Sequence, residues 1–307
     1  MTRDVPTLID MLGGLAHRRE LLRAGVTRRQ IEASWAAGEI MRVRHGLYGL
    51  DSLPAAVIRA ARSGGTLSGA TSLAARGAWQ TPTPRLVVSV AHNARDLRDP
   101  DDAGSRLDPD RDDVVVLRDG DRFDPRTERL LASPSRAAAQ VLVTETPEYA
   151  AAIIDSAMRL PFRQRPDLDA VMRHVARRRS RTGDVVSIDP RAEAGTESVA
   201  RVRLLREGIT AEPQVWVDDA IRVDLLIDGW LVVECVSVGH HSSPADYKRD
   251  RARILRLMTL GYVVVEATYE QILFDWPTVR DAVATALAGR AEKRGPAHFD
   301  LTASSRR

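Results

Sequence analysis

The sequence is short of several things that would narrow its class at once. It holds one cysteine, Cys235, in 307 residues. That excludes an internal disulfide framework and fits a reducing cytoplasm. It has no apolar run of about 18 residues, the length a membrane-spanning helix needs. Arg3, Asp4 and Pro6 precede a short helical pattern, with no apolar stretch of the signal-peptide kind. There is also little excess charge: 45 Lys+Arg against 42 Asp+Glu leave +3, so a nucleic-acid partner has to be argued from local clustering. What is there is 44% apolar and 28% charged, an ordinary soluble composition in a chain long enough for two or three cores. The expectation is a cytoplasmic protein of α/β (mixed α+β) class with no membrane partner.

Residues 7–14, TLIDMLGG, read as a short helix stopped by Gly13 and Gly14, and residues 17–22 as a second one ended by Gly25. Thr27 is a good N-cap for a third helix, 28–37, with Ile31 and Trp35 on one face. GEIMRVRHGLYGL then alternates Ile40, Arg42 and Arg44 against Met41, Val43 and His45, the period of a strand. Three short helices and a hairpin make a winged helix-turn-helix pattern over residues 1–50. Its recognition helix is 28–37, whose first residues Arg28, Arg29 and Gln30 carry donors for base edges or phosphates in a major groove. Arg42 and Arg44 fall along the wing, suited to the DNA backbone. Between residues 17 and 44, seven arginines stand against three glutamates. The competing reading is a small protein-binding module with solvated arginines.

Residues 54–181 read as a central α/β and helical module. Helices are expected at 54–62 and 68–76, and strands at 86–91 and 114–117. Further helices follow at 134–143, 149–160 and 166–181, the last ending in ARRRSR. That basic run suits a helix C-terminus and equally a phosphate track. The Asp-rich stretch 95–113 lacks EF-hand spacing, so a solvated, mobile loop is expected. A linker spans 182–195.

In the last domain, 196–289, Thr196 is expected to cap a helix over 197–207 that Gly208 closes. Strands follow at 214–217, 221–227 and 231–238, then a basic helix 244–260, a strand 262–267, helices 269–274 and 277–288, and a flexible tail 290–307. Two acids, Asp224 and Glu234, stand inside strands, where such residues are unfavourable. Either they face solvent or they form a site. They share a face only in one kind of hairpin. A two-residue Asp228-Gly229 turn sets them on opposite faces, whereas a three-residue loop, Ile227-Asp228-Gly229, makes them diagonal neighbours on one face. Cys235 falls with Val233 on the core side, a small buried hydrophobe.

Two resemblances follow from these stretches. His17, LLRAGVTRRQI and GEIMRVRHGLYGL resemble the N-terminal domain of AbiEi-family antitoxins, which implies a winged helix that represses its own toxin–antitoxin operon, with a cognate toxin as partner. Residues 54–150 are similar to the portion that follows it, less specifically. Glu197, RVDLLIDGWLVVE, GHH, YKRDRAR and GYVVVEAT resemble the PD-(D/E)XK restriction-endonuclease-like fold, nearest its Vsr-like members. That resemblance implies Mg²⁺ held by Glu197, Asp224 and Glu234, activating water against a DNA phosphodiester. The family's acid or lysine two residues after the strand Glu is Val236 here, and a following glycine is Ser237. His240, His241 and Lys248 are the candidates to replace it as base or phosphate clamp. Two functions stay open: a Mg²⁺-dependent DNA hydrolase with a degenerate motif, and a DNA-binding regulator or antitoxin whose nuclease-like domain has lost catalysis.

Overall fold

Val5, Leu8 and Ile9 form the buried stripe of helix α1, Val5–Met11, with Pro6 in its first turn where no N–H is needed. The computed structural model describes residues 4–108, 110–119, 129–177, 186–236 and 244–293. After α1 come β1 (Leu15–His17), α2 (Arg18–Arg23), α3 (Arg28–Ala36), β2 (Met41–Arg44) and β3 (Leu47–Gly49). The three strands pair antiparallel in the order β1-β3-β2. That is a winged helix-turn-helix, with one strand, β1, that the periodicity had not shown. Leu8, Ile9, Leu21, Ile31, Ile40 and Tyr48 are among the residues that close its core.

The chain divides into two compact units, Met1–Val186 and Ser187–Arg307. The winged helix therefore belongs to the same unit as the central module, and a second cluster explains why: Leu15, Val43 and Leu47 pack with Val57, Leu67, Leu86 and Val88. The module contributes α4 (Ala55–Ser63), β4 (Thr66–Leu67), α5 (Gly69–Ala74), β5 (Leu86–Val90), β6 (Val114–Arg118), α6 (Pro134–Thr144), α7 (Pro147–Met158) and α8 (Leu168–Arg177). β4 runs antiparallel and β6 parallel to the central β5. The Asp-rich stretch is cross-linked rather than loose. Arg111 binds Asp99 (2.6 Å), Asp101 (2.7 Å) and Asp113 (2.5 Å), and Arg59 binds Asp101 at 2.8 Å.

The second unit runs α9 (Gly195–Arg206), β7 (Ala211–Trp216), β8 (Arg222–Ile227), β9 (Leu231–Val236), α10 (Pro244–Thr259), β10 (Val263–Thr268), α11 (Tyr269–Phe274) and α12 (Trp276–Lys293). The sheet order is β10-β9-β8-β7. β7, β8 and β9 are antiparallel neighbours, whereas β10 lies parallel to β9 and so needs the crossover through α10. The elements thus run αβββαβ, the order expected from the sequence. The first nine residues of the unit, assigned to a linker from composition, are held to it: Ser187 accepts from Arg201, through Oγ and the carbonyl, at 2.8 Å each. Residues 240 and 241 lie outside the described residues, as do 178–181 of the basic run and everything after 293. Among the described residues no helix is long and apolar enough to cross a membrane.

Candidate functional site

The turn between β8 and β9 decides whether the acids meet. Ile227 pairs with Leu231, so the loop is the three residues Asp228, Gly229 and Trp230. Asp228 (φ 50°) and Gly229 (φ 71°) both take the left-handed conformation, which Asp and Gly tolerate best. The loop has the expected length but starts one residue later than expected. Counting on from Leu225↔Val233, Asp224 stands directly opposite Glu234 rather than diagonal to it. Counting likewise between Pro213↔Leu225 and Val215↔Val223 puts Gln214 opposite Asp224, and Glu266 of β10 pairs with Glu234. Gln214, Asp224, Glu234 and Glu266 thus form one row across the sheet.

Each member of the row is held. Glu197 enters from the third position of α9, where its two carboxylate oxygens accept the backbone N–H groups of Glu193 (2.9 Å) and Ala194 (3.0 Å). The N-cap is therefore Ala194, not Thr196, and Glu197 closes the helix start itself. Gln214, at φ 59° on the edge strand, donates its amide to Glu197 (2.8 Å) and to Asp224 (3.4 Å). Asp224 accepts the Cys235 N–H at 2.8 Å, in place of a ladder bond. Arg253 of α10 grips both oxygens of Glu234 (2.8 and 3.0 Å) and donates to the Arg222 carbonyl at 2.5 Å. Arg251 holds Glu266 in the same two-pronged way (3.1 and 2.7 Å).

Burial sets the electrostatics here. Glu197 (4% exposed) and Glu234 (5%) are sealed from solvent. Burial first, then the charge of Asp224, pushes the Glu197 carboxyl up to about 7 against the bonds from Gln214 and the backbone. Glu234 also rises to about 7, because burial and its contact with Asp224 outweigh Arg253. Asp224 is raised by burial too, against the Cys235 N–H and Arg253, which favour its charge. The two facing carboxyls act on one another, so they titrate as a pair. Burial and the three carboxylates drive the Cys235 thiol well above its ordinary value, which leaves it a poor nucleophile.

The three expected metal ligands are therefore in one connected cluster, but as arranged they do not fit a resident Mg²⁺. Gln214 bridges Glu197 and Asp224, and Arg253 occupies both oxygens of Glu234. Among the described residues no three His, Cys, Asp or Glu side chains could hold an ion together. Lys248 is exposed near the start of α10. Five residues on, Arg253 points about 140° away around the helix, and it is Arg253 that reaches the acids. Neither Gln214 nor Arg253 was singled out from the sequence. The register of β7 against β8 would have found the first; the YKRDRAR run offers four basic positions and no means of choosing among them.

On the winged helix, Arg28 and Arg29 are exposed in the first turn of α3, and among the described residues neither has an ion-pair partner. Gln30 is occupied: its Oε1 accepts from the Thr27 N–H and hydroxyl at 2.8 Å each, closing a capping box. Arg42 is exposed, lies over the Trp35 ring at 5.5 Å and approaches His45 Nδ1 at 2.9 Å. Arg44 was expected beside it on the wing. Instead the register shifts between Arg42 and Arg44, and such a bulge turns successive side chains apart. Arg44 is half-buried against Gly64.

The chain matches no family model. It is similar to two proteins of Mycobacterium tuberculosis, uncharacterized protein MT2308 of strain CDC 1551 / Oshkosh and uncharacterized protein Rv2248 of strain ATCC 25618 / H37Rv. Each is 27% identical over 187 residues, covering 56% of this chain and 66% of the relative's own length.

Proposed function

We propose that this chain is a DNA-binding regulator whose winged helix docks α3 in a major groove, and whose nuclease-like second unit serves as a binding rather than a cleaving module. The observation that carries this is the pair of exposed, unpaired guanidinium groups, Arg28 and Arg29, in the first turn of the third helix of a winged-helix topology. Arginines there reach phosphates or the O6/N7 edge of guanine, and Arg42, braced on Trp35, adds a backbone contact beside them. The resemblance to AbiEi-family antitoxins extends the reading to a cytoplasmic repressor of its own operon with a cognate toxin partner.

Gel retardation of duplex DNA from upstream of the chain's own gene tests it. Arg28→Ala with Arg29→Ala should weaken binding and lower the salt slope by about one per lost phosphate contact. Unchanged retardation would remove α3 as the DNA contact. A second reading, a metal-dependent DNA hydrolase, is favoured by the joining of Glu197, Asp224 and Glu234 in one buried cluster. Plasmid incubated with Mg²⁺ or Mn²⁺ separates the two. Cleavage that disappears in Glu234→Ala establishes the hydrolase, and intact plasmid with retained retardation supports the regulator.

A further inference from the structure

Where the winged helix meets the central module, the first unit has an open pocket of about 360 Å³. Its walls carry Arg19, Arg44, Arg129, His17 and Glu20, with Ser89 and the Gly64–Gly65 backbone opposite. The charges do not balance. Arg129 spends its guanidinium on Glu20 (2.5 and 3.2 Å) and on the Leu15 carbonyl (2.8 Å), and Glu20 also accepts the His17 N–H at 2.7 Å. That pair is neutral and closed. Arg19 and Arg44 remain, and among the described residues neither meets an acid.

Arg44 is the telling member. It is half-buried, and among the described residues the neighbouring charge that acts on it appreciably is another cation, Arg98. A desolvated guanidinium with no counter-ion is costly, yet the fold makes room for it. Gly64, at φ 104°, has no side chain, and a Cβ there would come within 2.5 Å of Arg44 Nη1. The β2 bulge that turns Arg44 away from Arg42 aims it into the same space. His17 fits this picture: burial, with the charges of Arg19, Arg44 and Arg129, holds it below its ordinary value despite Glu20, so a neutral ring is present as a further donor.

We propose that this pocket binds a small oxyanion, a phosphate- or carboxylate-bearing metabolite, with Arg44 as its principal anchor and Arg19 at the mouth. The volume is at the lower end of ligand pockets, and the ligand sits one residue pair from Arg42 on the same wing strand. Binding would therefore be felt where the wing meets DNA, but the site itself does not depend on the DNA reading.

The test is calorimetric titration of the full chain with inorganic phosphate and, separately, citrate, at ionic strength held constant with sodium chloride. A saturable heat from at least one probe is expected, with phosphate over citrate or the reverse naming the class. Arg44→Gln should weaken it at least about tenfold, the scale of one charge-assisted hydrogen bond, while Arg44→Lys retains part. The exposed Arg19→Gln carries the same test, with a smaller loss, should Arg44→Gln not fold. No saturable heat from either probe at millimolar concentration overturns the proposal, as does a heat unchanged by both substitutions. Should Arg44→Gln weaken DNA retardation and leave the heat unchanged, Arg44 is a DNA-backbone contact, the anion binds elsewhere and the proposal is overturned.

Discussion

Asp99, Asp101 and Asp113 in the first unit and Glu197, Asp224 and Glu234 in the second are both groups of three acids held by side-chain donors, Arg111 in the first and Gln214 with Arg253 in the second, yet their carboxyls move in opposite directions. Around Arg111 the aspartates keep contact with water, Asp101 and Asp113 about half exposed and Asp99 less so. The Asp101 N–H holds Asp99 below the usual carboxylate range, Arg59 does so for Asp101, and Arg111 for Asp113. Around Gln214 and Arg253 the acids are buried, and desolvation leads every shift upward. Local composition is nearly the same. Whether water can solvate the charge decides the sign.

The largest expected effect comes from removing the one cation that, among the described residues, is bonded to Glu234. Arg253→Met leaves Glu234 sealed with no counter-ion and should cost about 3 kcal/mol, read as a lower urea midpoint for the second unit. Adding Glu234→Gln should restore most of it, because the stranded charge goes too. A double variant as unstable as the single one would show that Arg253 acts through packing alone.

Next in size is the response to pH, and the two clusters should oppose one another. Glu197 and Glu234 titrate near 7 in the folded chain against the mid-4 range unfolded. Their contribution is therefore full below about 4.5 and lost as pH rises through 7, on the order of 3 kcal/mol for a single carboxyl. The loop aspartates contribute stability above their unfolded value near 4 and lose it as the solution becomes more acid. Hydrogen exchange followed by unit should show the second unit loosening between pH 5 and 8 while the loop loosens only in acid. A second unit indifferent to pH over that window would mean that its acids are solvated. The smallest effect is Arg111→Gln. Its ion pairs are partly exposed and such pairs are worth little in water, so a thermal melt should move little, and faster exchange confined to residues 95–113 is the only change expected.

Much of the fold is legible in the sequence because it rests on local chemistry. Thr27 and Gln30 cap α3, paired positive-φ glycines stop α1, alternating burial marks β8 and an apolar run marks β9. What the sequence hides is register and orientation. β1 and β4 are too short to show a period. Glu197 looked like a ligand and is also its helix's own cap. Arg44 looked like a wing residue until one bulge turned it inward.

The identity of the three acids, their strand and helix settings, and the need for a three-residue turn at Asp228-Gly229 were set by sequence alone, since turn chemistry and strand alternation act over a few residues. That Gln214 and Arg253 would be the groups to meet those acids was settled only by tertiary structure. Both arrive from separate elements, 10 to 19 residues from the acids they meet, through strand pairing and the packing of α10, and no pattern of a few residues records where such elements will cross.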